Sequence, residues 1–401
     1  MKKDNVYGTF GILPKEEMLE VKQNFKSLRI GVPKEISFQE ERISLTPDSV
    51  SLLTHNGHKV IIETGAGNGA YFTDKEYIDA GGVIVFSKEE VYESDIIVKI
   101  EPPTKSELRL MKKGQNLISA IQLQTRDKSY FDLLLKKDIT SIAIEHIEDA
   151  DGKLPLLRIL SEIAGNTSML IASEYLSNAN SGKGLMLGGV TGISPTEIVI
   201  IGAGTVGQYA CKTALGLGCR VKVFDDSLAR LRRLRDLLNQ NISTSIFQPK
   251  FLRKSLMRAD VVIGAYRSGY GKTPCIVSED MIEQMKDGSV IIDVSIDQGG
   301  CFGTSKVTTH NDPIFIEHGV IHYGVPNITS RVSRTSSLAV CSIISPVLLK
   351  IGEEGGINNL IKNDQGLRNG VYSFNGMMTN KTLSQMFNLP YKNLDLIITA
   401  Y

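Results

Sequence analysis

The sequence predicts an α/β protein of two doubly wound domains built on mostly parallel sheets. Three observations lead there. Short apolar runs alternate with helical patterns along most of the chain, the spacing of βαβ units. A long helical stretch at residues 160–178 interrupts the alternation, which then begins afresh. The first strand of the second run leads directly into a glycine-rich turn and another helix.

Each element has a local cause. "LRIGVPKE" reads as a strand and a turn. "TPDSVSLLTHNG" reads as a helix with Thr46 as N-cap, Pro47 in its first turn and Gly57 past its end. "HKVIIETGAG" is the next strand, "TDKEYIDAGG" a second capped helix and "VIVF" a third strand. "SKEEVYES" and "DIIVKI" continue as helix and strand, and "QNLISAIQ" and "ITSIAIEH" follow with a helix between them. Past residue 334 the pattern turns helical, and the C-terminal segment is expected to return to the first domain. The predicted division is an N-terminal extension over 1–28, a first domain of 29–158 plus 335–401, and a second domain of 159–334.

Composition narrows the function. The 401 residues carry a net charge of +1, so no broad basic surface points to nucleic acid. Five scattered cysteines without a CxxC pair read as reduced thiols of a cytoplasmic protein, neither a disulfide framework nor a metal site. No apolar run looks long enough to span a bilayer, because serines and Pro346 break "SSLAVCSIISPVLLKI".

"EIVIIGAGTVGQYA" is the strongest motif. Gly202, Gly204 and Gly207 form GxGxxG between an apolar strand and a helix. The first glycine permits the tight turn, the second lets a pyrophosphate approach the backbone, and the third lets helix and strand pack closely. The helix N-terminus then faces the phosphates. Asp225 ends the next strand, 23 residues after Gly202, where an acid holds a ribose diol and repels a 2′-phosphate. This is a Rossmann NAD-binding domain with a parallel sheet, and NAD is favoured over NADP. Asp226 competes with Asp225 for the ribose role. "GSVIIDVSIDQGGCF" is a strand breaking into a Gly-Gly loop, and it makes Asp297 the best-placed acid of the second domain; a loop-capping role is its bland alternative.

These pieces together resemble the alanine dehydrogenase and proton-translocating transhydrogenase family. The resemblance rests on "GVPKE", "ERISLTP", "GHKVIIETGAG", "LSEIAG", "VIIGAGTVG", "SVIIDVSIDQGGCF", "TTH" and "GVIHYGVPN". "DQGGC" and "VPN" are similar to the alanine dehydrogenase branch. The resemblance implies an NAD-dependent conversion of L-alanine and water to pyruvate and ammonium, with 29–158 plus 335–401 as the substrate domain. It implies that Arg42 grips the substrate carboxylate and that Asp297 assists proton transfer. Asn327 then lies at the nicotinamide end, and Ser161 approaches the cofactor from the interdomain helix. A homo-oligomer, a hexamer in related enzymes, is implied too, with the apolar face of "SEIAGNTSMLIASEYL" as its contact.

The pattern breaks at "DIIVKIEPPTK". The family carries two lysines on this strand end, the second holding substrate; here Lys99 is followed by Glu101. A histidine expected on the next strand as the general acid/base is Gln122, which cannot titrate. Strand alternation puts Lys99 beside Glu101, so Glu101 is expected to be ionised and paired with Lys99 or Arg42. A substrate carboxylate about 4 Å from that charge would meet roughly 4 kcal/mol of repulsion at an effective dielectric near 20, on the order of a thousandfold in affinity. Alanine turnover is then expected to be weak. The alternative function is an NAD(H)-binding, transhydrogenase-like or non-catalytic relative. His310 and His322 lie nearest to motif residues, and a structural role is the expectation for both.

Overall fold

The computed structural model describes residues 25–122, 126–238, 242–267 and 272–400. Most of the expected N-terminal extension thus lies outside the described residues. Its last residues pack on the body, where Phe25 stacks on His58 and the Lys26 N–H bonds the Gly352 carbonyl at 2.8 Å.

The first sheet contains β1 (Arg29–Val32), β2 (Lys59–Glu63), β3 (Val83–Val85), β4 (Ile96–Val98), β5 (Asn116–Ser119) and β6 (Thr140–Ala143). The second contains β7 (Glu197–Ile201), β8 (Arg220–Phe224), β9 (Ser243–Ser245), β10 (Val261–Gly264), β11 (Val290–Asp293), β12 (Ile314–Glu317) and β13 (Val320–Tyr323). Late in the chain, β14 (Val371–Phe374) and β15 (Met377–Met378) rejoin the first sheet. The strand orders are β15-β14-β6-β5-β4-β1-β2-β3 and β12-β13-β11-β10-β7-β8-β9. Within each sheet the strands are parallel except at one edge, where β14 runs against β6 and β15, and β12 against β13.

Each sheet reverses its direction of winding once. In the first, β2 and β3 lie on one side of β1 while β4, β5 and β6 lie on the other. In the second, β8 and β9 lie on one side of β7 while β10 and β11 lie on the other. Loops leaving the carboxyl ends of two such central strands diverge and open a crevice, the usual ligand position in doubly wound sheets. Both crevices matter below.

Central strands are apolar on both faces because helices cover both. Ile30, Val32, Ile62, Ile96 and Val98 are buried with Val340, Ile344 and Leu348 of the helix Ser333–Glu353. Ile198, Ile200, Ile263 and Ile292 form the second core, shared with the helix Pro155–Leu176.

Two expectations about the long helices are corrected. Pro346 does not break Ser333–Glu353, and the stretch Ile328–Glu353 is long and apolar enough to cross a membrane by length and composition. Val340, Ile344, Leu348 and Ile351 of this stretch are core residues of this chain, however, and 56% of its most apolar window is buried inside the protein. The apolar face of Pro155–Leu176 is likewise used internally. Met169, Ile171, Ala172 and Leu176 are buried, and Leu170 is the large apolar residue of this helix left exposed.

Gly165 allows the closest part of that packing. A Cβ there would lie 2.5 Å from the Val206 carbonyl oxygen and 2.9 Å from the Ala210 nitrogen, backbone atoms of the helix Thr205–Gly216. Gly165→Ala is therefore expected to destabilise the protein by about 1–3 kcal/mol through overpacking, read as a lower urea midpoint with an unchanged slope.

Candidate active site

The loop after β1 carries Glu35, Glu40 and Arg42, and the end of β4 carries Lys99 and Glu101. Arg42 is buried and held as a fork. Its Nε and Nη2 donate to Glu40 at 2.7 and 2.5 Å, and its Nη1 donates to Thr329 at 3.0 Å. Glu40 also accepts from the Asn327 side-chain amide at 2.8 Å and from the Arg42 backbone at 3.0 Å. Thr329 and Asn327 follow β13, so this network ties the crevice of the first sheet to that of the second. Asn327 sits in the left-handed region, φ 55°, which asparagine tolerates, and it starts the short turn Ile328–Val332.

Asp297 approaches from the loop after β11. It is open to solvent at the cleft, yet protein surrounds it on most sides. That surrounding raises its carboxyl, against the Asn327 backbone N–H and the charges of Arg42 and Arg267. Asp293, one turn earlier, holds the loop in shape. It accepts from the Ser295 and Cys301 N–H groups at 3.0 and 3.2 Å and from the Ser305 hydroxyl at 2.5 Å. Gly300 has φ 77°, and a Cβ there would fall 2.4 Å from Asp293 Oδ2. Arg42, Glu101, Asp297 and Asn327 are thus brought together.

Lys99 is not part of that group. Its ammonium lies 3.0 Å from Glu35 and 3.3 Å from Glu107, and all three side chains are at most 4% exposed. Burial works against its charge, but the two carboxylates outweigh burial and raise its pKa. The expected Lys99–Glu101 pair is therefore corrected. β4 ends at Val98, and the Glu35 carboxylate takes the Ile100 N–H at 2.6 Å. The period-2 alternation does not extend to Glu101.

The alternative pairing with Arg42 is found, whereas the expectation of a fully ionised Glu101 is corrected. Glu101 lies 3.7 Å from Arg42, whose close partner is Glu40. Burial, with the Glu40 charge next, pushes the Glu101 carboxyl up to about 8, against Arg42. Glu40 goes the other way: burial would raise it, but Arg42 outweighs burial and holds it below the usual range. One negative charge and one proton are thus divided between two neighbouring acids, with Glu40 carrying the charge and Glu101 favouring the proton.

Gln122 is half-buried with φ 45°, and residues 123–125 of its loop lie outside the described residues. The preceding Ile121 N–H donates to Glu145 at 2.8 Å. Ser161 lies on the helix between the two sheets, but its hydroxyl donates back to the Leu157 carbonyl at 2.6 Å. His322 is bonded through both ring nitrogens, to Thr304 and the Val320 carbonyl. Burial holds His310 below its ordinary pKa, and its backbone N–H bonds Gln39.

The glycine turn has the shape its spacing implies. Gly202 has φ 110°, and Gly207 packs so closely that a Cβ would lie 1.9 Å from the Gly202 carbonyl oxygen. A Cβ on Gly204 would meet nothing within 4 Å, leaving open space at the N-terminus of the helix Thr205–Gly216. A pyrophosphate fits there, facing free helix N–H groups. Asp225 is fully buried beneath the turn, where its carboxylate accepts the Ala203 and Ser227 N–H groups at 2.7 and 2.8 Å. The neighbouring Asp226 is exposed and accepts the Tyr266 hydroxyl at 2.8 Å.

Sequence reasoning missed Glu40, Glu35, Glu107 and Thr329. Glu40 was the most accessible of these, two residues before Arg42, but acids in a loop carry no periodic signal.

Two measurements test this geometry. Gly204→Ala is expected to fold normally and to weaken NADH binding about tenfold or more, whereas Gly207→Ala should also lower the melting temperature; nicotinamide fluorescence and calorimetry report the two effects. Glu101 binds its proton more tightly folded than unfolded. Its contribution to stability is full below about 4.5 and is lost as pH rises through about 8. Glu101→Gln is expected to flatten the fall of stability across that window in urea titrations at successive pH values.

Comparison with known proteins agrees with the sequence resemblance. Residues 31–164 match the alanine dehydrogenase/PNT N-terminal domain and residues 168–381 the alanine dehydrogenase/PNT C-terminal domain. Alanine dehydrogenase 2 of Staphylococcus aureus (strain USA300) is 39% identical over 369 residues, 92% of this chain and 99% of the relative. A solved L-alanine dehydrogenase superposes with a TM-score of 0.84 at 36% identity, covering 90% of this chain and 99% of its own. A transhydrogenase from Sinorhizobium meliloti shares the fold, with a TM-score of 0.76 at 21% identity over 88% and 99% of the two chains. With both halves of the family matched in order along one chain, this protein belongs to the alanine dehydrogenase/PNT family.

Proposed function

We propose that this protein is an NAD-dependent oxidoreductase acting on CH–NH2 groups, converting L-alanine or a similar small amino acid to the 2-oxo acid and ammonium. The carrying observation is the meeting of two crevices. Arg42 of the first sheet is bonded to Thr329 of the second, beside Asp297. In this reading residues 29–158 with 335–401 form the substrate domain, and 159–334 bind the cofactor.

Bound NAD would supply the hydride acceptor. Gly202, Gly204 and Gly207 would hold its pyrophosphate. Asp225, or the more exposed Asp226, would hold the adenosine ribose, and Asn327 and Ser161 would lie towards the nicotinamide. The chain's own groups do the rest. Three of the five Arg42 N–H donors are used by Glu40 and Thr329, and the remainder are available to a substrate carboxylate. A Glu101 whose proton is held more firmly than usual would weaken the repulsion that a fully ionised one would exert there. Asp297 would take a proton from the substrate amine. Lys99 would act indirectly, by fixing Glu35 and Glu107 around the β4 end. Gln122 would offer a side chain that hydrogen-bonds but does not titrate.

One observation favours a second reading, an NAD(H)-binding relative without amino acid chemistry: Gln122 stands where the family pattern has a titrating histidine. In either reading we place the protein in the cytoplasm as a homo-oligomer, and light scattering giving 44 kDa would refute the assembly.

Absorbance of NADH formed with a panel of L-amino acids decides between the readings. The expected result is turnover of alanine or a close analogue. NADH is expected to bind at least about tenfold more tightly than NADPH, and equal affinities would remove the acids after β8 from the ribose role.

A further inference from the structure

We propose that Glu101 is the general acid/base of the proposed reaction, taking the place of the histidine that Gln122 does not supply. The proposal rests on the functional reading above and assigns its proton path. It starts from a question of elimination within one network: which buried side chain beside Arg42 can both accept and release a proton?

Glu40 cannot. Its two oxygens accept four donors, namely the Arg42 Nε, Nη2 and backbone N–H and the Asn327 amide. Protonating it would break a buried fork. Lys99 cannot, since its ammonium is locked between Glu35 and Glu107. His322 has both nitrogens bonded beneath the second sheet. Glu101 is different. It is 6% exposed, it lies 3.7 Å from Arg42, and Glu40 adjoins it as a fixed neighbouring charge. Two adjacent acids cannot both ionise cheaply, so one holds a proton that is released near neutral pH. The charged and titratable groups around Glu101 are Glu40, Arg42 and Glu35 from the loop after β1, and Asp297 also feels the Arg42 charge. Glu40 and Arg42 act on Glu101 in opposite directions, Glu40 the more strongly, and burial adds to the effect of Glu40.

After the substrate is oxidised to the iminium, water adds to the iminium carbon. A C–O bond forms and one water proton passes to the Glu101 carboxylate, giving a neutral carbinolamine. Glu101 then returns that proton to the nitrogen. The C–N bond breaks as a lone pair on the hydroxyl oxygen forms the carbonyl, and the departing ammonia takes the hydroxyl proton and leaves as ammonium. Glu101 ends as the carboxylate it began as. In the reverse direction it begins protonated.

The direction of pH dependence follows. Deamination needs the carboxylate and should rise through an inflection near 8, whereas reductive amination needs the acid and should fall there. The deciding comparison is wild type, Glu101→Gln, Glu101→Asp and Asp297→Asn, each assayed in both directions across pH. In parallel, infrared difference spectra of the cofactor-free protein follow the buried carboxyl stretch. Support requires a wild-type carboxyl band that titrates near 8 and is missing in Glu101→Gln. It also requires a fall in kcat of about a hundredfold or more in Glu101→Gln, loss of the inflection, unchanged NADH affinity and partial recovery in Glu101→Asp. If Glu101→Gln keeps its inflection and most of its kcat, or if Asp297→Asn alone removes the inflection, the proposal is overturned while the functional reading stands. A wild type that oxidises no amino acid overturns the functional reading and this proposal with it.

Discussion

The Arg42–Glu40 pair is the interaction on which the site depends. A buried ion pair is tolerable only when its geometry is good and its remaining donors and acceptors are satisfied. Here the two-bond fork supplies the geometry, while Thr329 and Asn327 supply the remaining partners. Those partners come from the other sheet. The burial of the pair therefore depends on both crevices, and a change in the angle between the sheets would cost Arg42 and Glu40 the hydrogen bonds of Thr329 and Asn327. The same pair sets the electrostatics next door, because the Glu40 charge combines with burial to keep a proton on Glu101.

Much of the architecture was legible in the sequence because its signals are periodic or stereochemical. Alternating apolar runs gave the strands of both sheets, the late return of the chain to the first sheet followed from the change of pattern near 334, and the three glycines fixed a turn whose packing the structure reproduces. Arg42, Asp297 and Asn327 converge at the expected place. What was not legible depends on tertiary contacts. The partners of Lys99 are a loop acid and a helix acid, Glu35 and Glu107, which share no strand or helix with it. The apolar face of Pro155–Leu176 looked available to a second subunit, but the helix Thr205–Gly216 of the same chain covers part of it.

The exchange of a lysine for Glu101 shows why a charge written in a sequence is not yet a charge in a site. In water a glutamate is anionic at neutral pH. At 6% exposure, beside an ionised neighbour, it holds its proton. The substitution that looked like a reversal of sign is closer to the loss of one unit of positive charge.

Asp225 bears on how the cofactor arrives. Its carboxylate accepts the Ala203 N–H from below, and Gly202, at φ 110°, gives the turn a shape that glycine adopts without strain. A loop that must order itself around a ligand loses conformational freedom at the moment of contact, which weakens binding and slows productive encounters. Here Asp225 ties the turn to the end of β8 through hydrogen bonds made within the chain. Part of the ordering that a dinucleotide site needs is thereby met by folding, which leaves more of the contact energy to hold the molecule.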